Sequence, residues 1–120
     1  MKYFRKDWIM YQEVANEGGK QPTELLELNV KTDNPETNKH VPFIEETENG
    51  YSVRCGKNEF HAETEEHHTI FIELVVDETY YYKKYIKYGE EPKVSFVVPK
   101  GSKVEAYAFC NLHGLWKFSL

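Results

Sequence analysis

Short runs of β-branched or alternating residues, separated by turn signals, fill most of this chain after residue 50, and helical periodicity is weak throughout. The clearest run is TIFIELVV at residues 69–76, which is mostly apolar, as in a central strand. The other predicted strands are residues 51–55, 79–88, 93–98, 103–109 and 115–120. A spacing of about 8–12 residues between such runs predicts an all-β fold, either a β-sandwich or a β-barrel.

The N-terminal part of the chain differs from the rest. The polar segment KTDNPETN, residues 31–38, contains a proline, lacks any period and predicts a linker. It follows a hairpin-like appendage of about residues 1–30, in which TELLEL at 23–28 suffices for one helical turn at most. We therefore divide the chain into an N-terminal appendage, residues 1–36, and a main domain, residues 37–120.

Composition narrows the class of protein. A chain of 120 residues suits one domain with a small appendage. The net charge of −5 and the scattered lysines argue against nucleic-acid binding, which needs clustered basic residues. Apolar runs are too short to cross a bilayer, and the N-terminus lacks the features of a signal peptide. These features predict a cytoplasmic protein that binds no membrane, whose thiols serve as metal ligands or nucleophiles rather than as a disulfide.

Five histidines and one late cysteine lie in predicted loops and at strand ends. Cys110 and His113 are three residues apart in a turn, and the histidines are His40, His61, His67, His68 and His113. Any one of them alone is more often a surface or core residue, but together they indicate a metal site. Structural zinc usually takes two or more thiolates, and the only other cysteine is Cys55. Blue copper lacks its axial methionine here, whereas five nitrogen and sulfur ligands suit an iron ion with one open position.

Three motifs resemble the superoxide reductase family, which includes desulfoferrodoxin and neelaredoxin. They are NKHVPFIE at 38–45, HAETEEHHTIFIEL at 61–74 and FCNLHGLWK at 109–117, in the family's order and spacing. The resemblance covers about residues 38–118. It implies an immunoglobulin-like β-sandwich with a short N-terminal β appendage and one non-haem iron per chain.

The resemblance also implies which residues form the site. The metal ligands carried over by position are His40, His61, His67 and His113 in the equatorial plane and Cys110 as the axial thiolate. Lys39 matches a catalytic lysine that draws in superoxide and helps to protonate the product. Asn38 replaces a glutamate that ligates ferric iron in the family, so the sixth position is expected to be open or to hold water or hydroxide. The backbone N–H groups of Leu112 and His113 are expected to point at the sulfur, and His68 is expected to lie outside the set.

The activity implied is one-electron reduction of superoxide to hydrogen peroxide, with rubredoxin or a similar small redox protein as electron donor and a homodimer as the usual form. Some relatives bind a second iron through four cysteines in an N-terminal domain. Residues 1–54 contain no cysteine, so residues 1–36 are expected to be a desulforedoxin-like remnant without metal. The alternatives are a non-catalytic metal-binding or electron-transfer β-sandwich protein, and a metal-free interaction domain.

Overall fold

The computed structural model describes residues 2–120, which form eleven strands and no helix. The strands are β1 (Tyr3–Lys6), β2 (Ile9–Gln12), β3 (Leu26–Glu27), β4 (Val30–Lys31), β5 (Pro42–Thr47), β6 (Gly50–Cys55), β7 (Thr69–Val76), β8 (Tyr80–Tyr85), β9 (Lys93–Val97), β10 (Val104–Cys110) and β11 (Gly114–Ser119). No helix in this part of the chain is long and apolar enough to span a membrane.

Two sheets form a sandwich. The larger has the strand order β4-β11-β10-β7-β8 and the smaller has the order β5-β6-β9. Neighbouring strands are antiparallel, except that β4 runs parallel to β11. The inner faces of the two sheets enclose the main core, whose largest side chains include Ile44, Tyr51, Ile72 and Leu74.

The appendage covers the outer face of the larger sheet. Strands β2, β1 and β3 form a third sheet, and Tyr3 packs with Phe71 and Val75 of β7 in a second core cluster. The Tyr3 hydroxyl donates a hydrogen bond to the buried carboxylate of Glu73. Strand β7 is therefore buried on both faces, which explains why residues 69–76 are almost continuously apolar instead of alternating.

The structure confirms the predicted fold class, an all-β, immunoglobulin-like β-sandwich with a short N-terminal β appendage. The sequence allowed one helical turn at most at residues 23–28, and the structure has none there, because Leu26–Glu27 pair with β1 as strand β3. The start of the predicted linker belongs to the sandwich, since Lys31 in β4 pairs with Trp116 in β11. The division between residues 36 and 37 stays a prediction.

Candidate metal centre

Strand ends bring the motif residues together at one end of the sandwich. Strand β10 ends at Cys110, which pairs with Gly114 at the start of β11 and with Thr69 at the start of β7. His40 lies two residues before β5, at the same end. The backbone near His40 is closely packed at Gly56, which has a φ of +91°. A Cβ atom at Gly56 would lie 2.0 Å from the Glu59 carbonyl oxygen. Only glycine allows this approach.

Four donor atoms form the centre of this cluster. They come from His40, His67, Cys110 and His113, and they all lie within 4.8 Å of one another. Nδ1 of His113 lies 3.1 Å from Nε2 of both His40 and His67, and 3.8 Å from Sγ of Cys110. The cluster therefore presents three ring nitrogens and one sulfur to a common point.

His61 lies against the four and presents a buried nitrogen. Its ring centroid is 4.6 Å from that of His40 and 4.5 Å from that of His67. Nδ1 lies 3.2 Å from the Glu63 carboxylate, whose other oxygen accepts a hydrogen bond from the Thr69 backbone N–H at 2.8 Å. A carboxylate partner places the proton on Nδ1. Nε2 is then a bare acceptor, buried and without a hydrogen-bond partner among residues 2–120.

Asn38 and Trp116 orient the His40 ring. Oδ1 of Asn38 accepts hydrogen bonds from the His40 backbone N–H at 2.9 Å and from its ring Nδ1 at 3.0 Å. The proton therefore sits on Nδ1, and the Nε2 lone pair faces the cluster. The Trp116 ring stacks on the His40 ring, with centroids 5.0 Å apart and planes at 16°. Asn38 thus supports a candidate ligand.

The turn that carries Cys110 and His113 is held from both sides. The register of β10 shifts between Phe109 and Cys110, an irregularity that re-aims side chains near sites. Gly114 closes the turn with a φ of +85°, which favours glycine. The Asn111 side chain donates to the Glu66 carbonyl at 2.9 Å and accepts from the His68 backbone N–H at 2.9 Å. Asn111 therefore ties this turn to the loop that carries His67.

Cys110 is buried, and its surroundings act on the thiol in opposite directions. Burial raises the pKa of Cys110, while hydrogen bonds from the backbone N–H groups of His113 and Leu112, and the charge of Lys31, work to lower it. N–H groups that point at a sulfur stabilise its charged form.

Burial, and then the neighbouring rings of His61, His113 and His67, lower the pKa of His40 from 6.5 to about 4. The pKa of His67 is lowered mainly by burial and by the same kind of neighbour. Both rings are therefore neutral at pH 7, which is the form that binds metals.

We expect the metal-free protein to lose stability as the pH falls from 6.5 to about 4. In this window the unfolded chain binds a proton at His40 that the folded protein does not, so acid favours unfolding. One fully shifted proton would change the free energy of unfolding by roughly 1.4 kcal/mol per pH unit. Because the His40 ring is partly exposed, its contribution is well below that value. Urea unfolding at several pH values, in the presence of a chelator, measures the slope of the free energy of unfolding against pH. His40→Gln should flatten it, and an equal slope in both proteins would contradict the assignment.

Other residues singled out in the sequence lie outside the cluster. Nζ of Lys39 is 2.7 Å from the Glu59 carboxylate, in an exposed ion pair. The His68 ring faces away, with Nδ1 3.0 Å from the carbonyl oxygens of Thr64 and Glu65. Cys55 lies in the main core, as expected.

The donor set fits a transition-metal ion. Imidazole nitrogens and a thiolate are the ligands that iron, copper and zinc prefer. The orphaned Nε2 of His61 needs a partner that no described protein group supplies. His40 and His61 each have a side-chain oxygen on the other ring nitrogen, the usual arrangement for metal-binding histidines.

Sequence reasoning missed several supporting residues, namely Lys31, Glu63, Asn111 and Trp116. Glu63, Asn111 and Trp116 lie inside the three motifs. Their position next to candidate ligands in the sequence could therefore have identified them as supporting residues. Lys31 lies outside them, and its role depends on the pairing of β4 with β11.

Known proteins resemble this chain in sequence over most of its length. The profile of the Desulfoferrodoxin family matches residues 31–119. A desulfoferrodoxin from Nitratidesulfovibrio vulgaris is 48% identical over 79 residues, which are 66% of this chain and 60% of that protein. The matched part thus spans less than two thirds of that relative. A desulfoferrodoxin homologue from Archaeoglobus fulgidus is 41% identical over 97 residues, covering 81% of this chain and 74% of the relative.

Among solved structures, a superoxide reductase from Treponema pallidum aligns with 98% of this chain and 96% of its own, with a TM-score of 0.75 and 27% identity. That alignment includes the appendage. The family match covers all the clustered side chains, from His40 to His113. Similarity in sequence and in fold leads to one conclusion: the chain belongs to the desulfoferrodoxin family.

Proposed function

We propose that the protein is a superoxide reductase. It reduces superoxide by one electron to hydrogen peroxide at a mononuclear non-haem iron held by His40, His61, His67, His113 and Cys110. The observation that carries the proposal is the donor set itself: three ring nitrogens and one sulfur converge, and a fourth ring nitrogen, Nε2 of His61, is buried without a hydrogen-bond partner among residues 2–120. The similarity to a superoxide reductase from Treponema pallidum supports the choice of reaction.

Bound iron supplies the electron and an open position for the substrate. The chain supplies the charge balance: neutral imidazoles leave the positive charge of the ion largely intact, which favours an anionic substrate, and one thiolate removes only part of it. Asn38 and Glu63 keep protons on the outward ring nitrogens of His40 and His61. The reaction consumes one electron and two protons for each superoxide, so the site also needs a proton source.

We assign the attraction of superoxide, and part of the proton supply, to Lys39. Its ammonium group pairs with Glu59 at the surface, and exposed pairs of this kind are worth only about 0–1 kcal/mol. An incoming anion can therefore compete with Glu59 for the lysine. Lys39, the residue next to His40, can therefore offer its positive charge to an anion near the centre.

We expect Lys39→Ala to lower the second-order rate constant for superoxide by roughly tenfold at low ionic strength, because electrostatic attraction is lost. The decline of the rate with added salt should also become shallower. Stopped-flow or pulse-radiolysis kinetics at several salt concentrations measure both. Lys100→Ala removes a charge paired with Glu46 near the opposite end of strand β5 and should change neither. Unchanged kinetics in Lys39→Ala would remove this lysine from the mechanism.

Further features belong to the same proposal. We propose one iron per chain, a cytoplasmic enzyme, a homodimer, and rubredoxin or a similar small redox protein as electron donor. Residues 1–36 are proposed to be a desulforedoxin-like remnant without metal. The alignment of 98% of the chain with the Treponema pallidum protein supports an appendage shared with that relative.

Iron quantification and an optical spectrum of the oxidised protein test the function. The proposal predicts about one iron per chain, a visible thiolate-to-iron band, and rapid loss of the ferrous state on mixing with superoxide. Copper in place of iron would overturn it. Iron with a thiolate band but no reaction with superoxide would favour the non-catalytic electron-transfer alternative.

A further inference from the structure

We propose that Lys31 is a positioning residue of the metal centre and that its charge raises the reduction potential of the iron there. This inference rests on the proposed function in so far as it needs iron at the site. Lys31 lies outside the family-like motifs and reaches the centre from strand β4.

Lys31 holds the backbone of one ligand residue. Its Nζ donates a hydrogen bond to the His113 carbonyl oxygen at 2.9 Å, and the Trp116 indole N–H donates to the same oxygen at 3.1 Å. Two donors on one carbonyl fix the orientation of that peptide. The peptide belongs to the turn between β10 and β11, so Lys31 restrains the turn that carries both His113 and Cys110.

The same ammonium group also lies over the Trp116 ring, which supports the candidate ligand His40. Nζ lies 5.3 Å from the Trp116 ring centroid, within the range of a cation–π contact. That ring stacks on His40. Lys31 therefore contacts the support of His40 as well as the backbone of His113.

The fold places Lys31 there by strand pairing. Lys31 pairs with Trp116 in the parallel register of β4 and β11. The end of the Lys31 side chain lies beside Gly114, where a Cβ atom would be in ordinary van der Waals contact with Nζ, 3.7 Å away. A short strand at the sheet edge thus delivers a lysine to the end of the sandwich where the ligands meet.

The charge of Lys31 is not neutralised locally. No carboxylate oxygen lies within 4.0 Å of its Nζ among residues 2–120, whereas Lys39 is paired with Glu59. An uncompensated positive charge near a redox centre disfavours the more positive, ferric state. It therefore raises the reduction potential, and it adds to the attraction of an anionic substrate.

Redox titration of the iron-loaded protein tests the inference, followed through the ferric thiolate band. The variants are Lys31→Met, which keeps the apolar stem but removes the charge, and Lys31→Arg, which keeps the charge and the donors. We expect Lys31→Met to shift the potential to lower values and Lys31→Arg to restore most of the wild-type value. Lys100→Met, with the same change of charge near the far end of β5, should leave the potential unchanged. In Lys31→Met the superoxide rate constant should fall by roughly three- to tenfold at low ionic strength.

Equal potentials in Lys31→Met and the wild type, at equal iron content, would overturn the inference. So would a Lys31→Arg variant that behaves like Lys31→Met, because packing alone would then explain the effect. Loss of iron from the Met variant and not from the Arg variant supports the positioning role. A wild-type protein that binds iron but does not react with superoxide refutes the proposed function, while the shift in potential still decides the role of Lys31.

Discussion

We expect Cys110→Ser to abolish the proposed thiolate-to-iron band and to lower the rate of superoxide reduction by at least about a hundredfold. Losing the hydrogen-bond partner of a metal ligand typically costs about 10- to 100-fold, and losing the ligand itself costs no less. Serine keeps the size of the side chain but does not ionise near pH 7, so it supplies no comparable charge. Absorption spectra and rapid-mixing kinetics of iron-loaded protein measure both effects.

Cys55→Ala is the matched control. Cys55 is also a buried cysteine, but it packs in the main core and its sulfur lies 3.9 Å from the Thr69 hydroxyl oxygen. The control variant should keep the band and the rate, even if it melts at a lower temperature. If Cys110→Ser keeps the band, or if Cys55→Ala loses it, the assignment of the thiolate ligand is wrong.

Glu73→Ala is expected to lower the free energy of unfolding by about 3 kcal/mol, because it leaves buried partners without their carboxylate. Glu73 is 2% exposed and accepts a hydrogen bond from the Tyr3 hydroxyl. Gln12 Nε2 lies 3.3 Å from the same carboxylate, and Lys83 Nζ lies 3.7 Å from its other oxygen. The burial of Tyr3 and its bond to Glu73 raise the pKa of the phenol, so the hydroxyl stays a donor.

Urea unfolding measures this loss, and limited proteolysis at residues 31–38 reports whether the appendage loosens. Glu46→Ala is the control: this glutamate is exposed, pairs with Lys100 at 3.8 Å and should cost little. Below its melting temperature, Glu73→Ala should keep the thiolate band, because Glu73 is not part of the ligand cluster. Similar small losses in both variants would show that the carboxylate does not hold the appendage.

Local pattern was sufficient to predict most strands of the sandwich. Period-two or continuous apolar runs can bury a face only as strands, so residues 69–76 and 93–98 were recognisable without any partner in view. The short strand β3 was missed, since Leu26 and Glu27 carry no pattern and are extended only because they pair with β1. The layer that covers the second face of β7 was equally unpredictable, because it comes from residues far away in the chain.

By itself, the sequence determined most strands of the sandwich, though not β4 and β5, and, through three motifs, the candidate ligands. These properties depend on residue type and short spacing, which the chain carries directly. Only the tertiary structure decided which ring nitrogens converge, that Asn38 and Glu63 hold the opposite nitrogens, and that Lys31 rather than Lys39 contacts the cluster's backbone. Lys31 and His113 are 82 residues apart, and their contact exists because β4 pairs with β11, which no local pattern encodes.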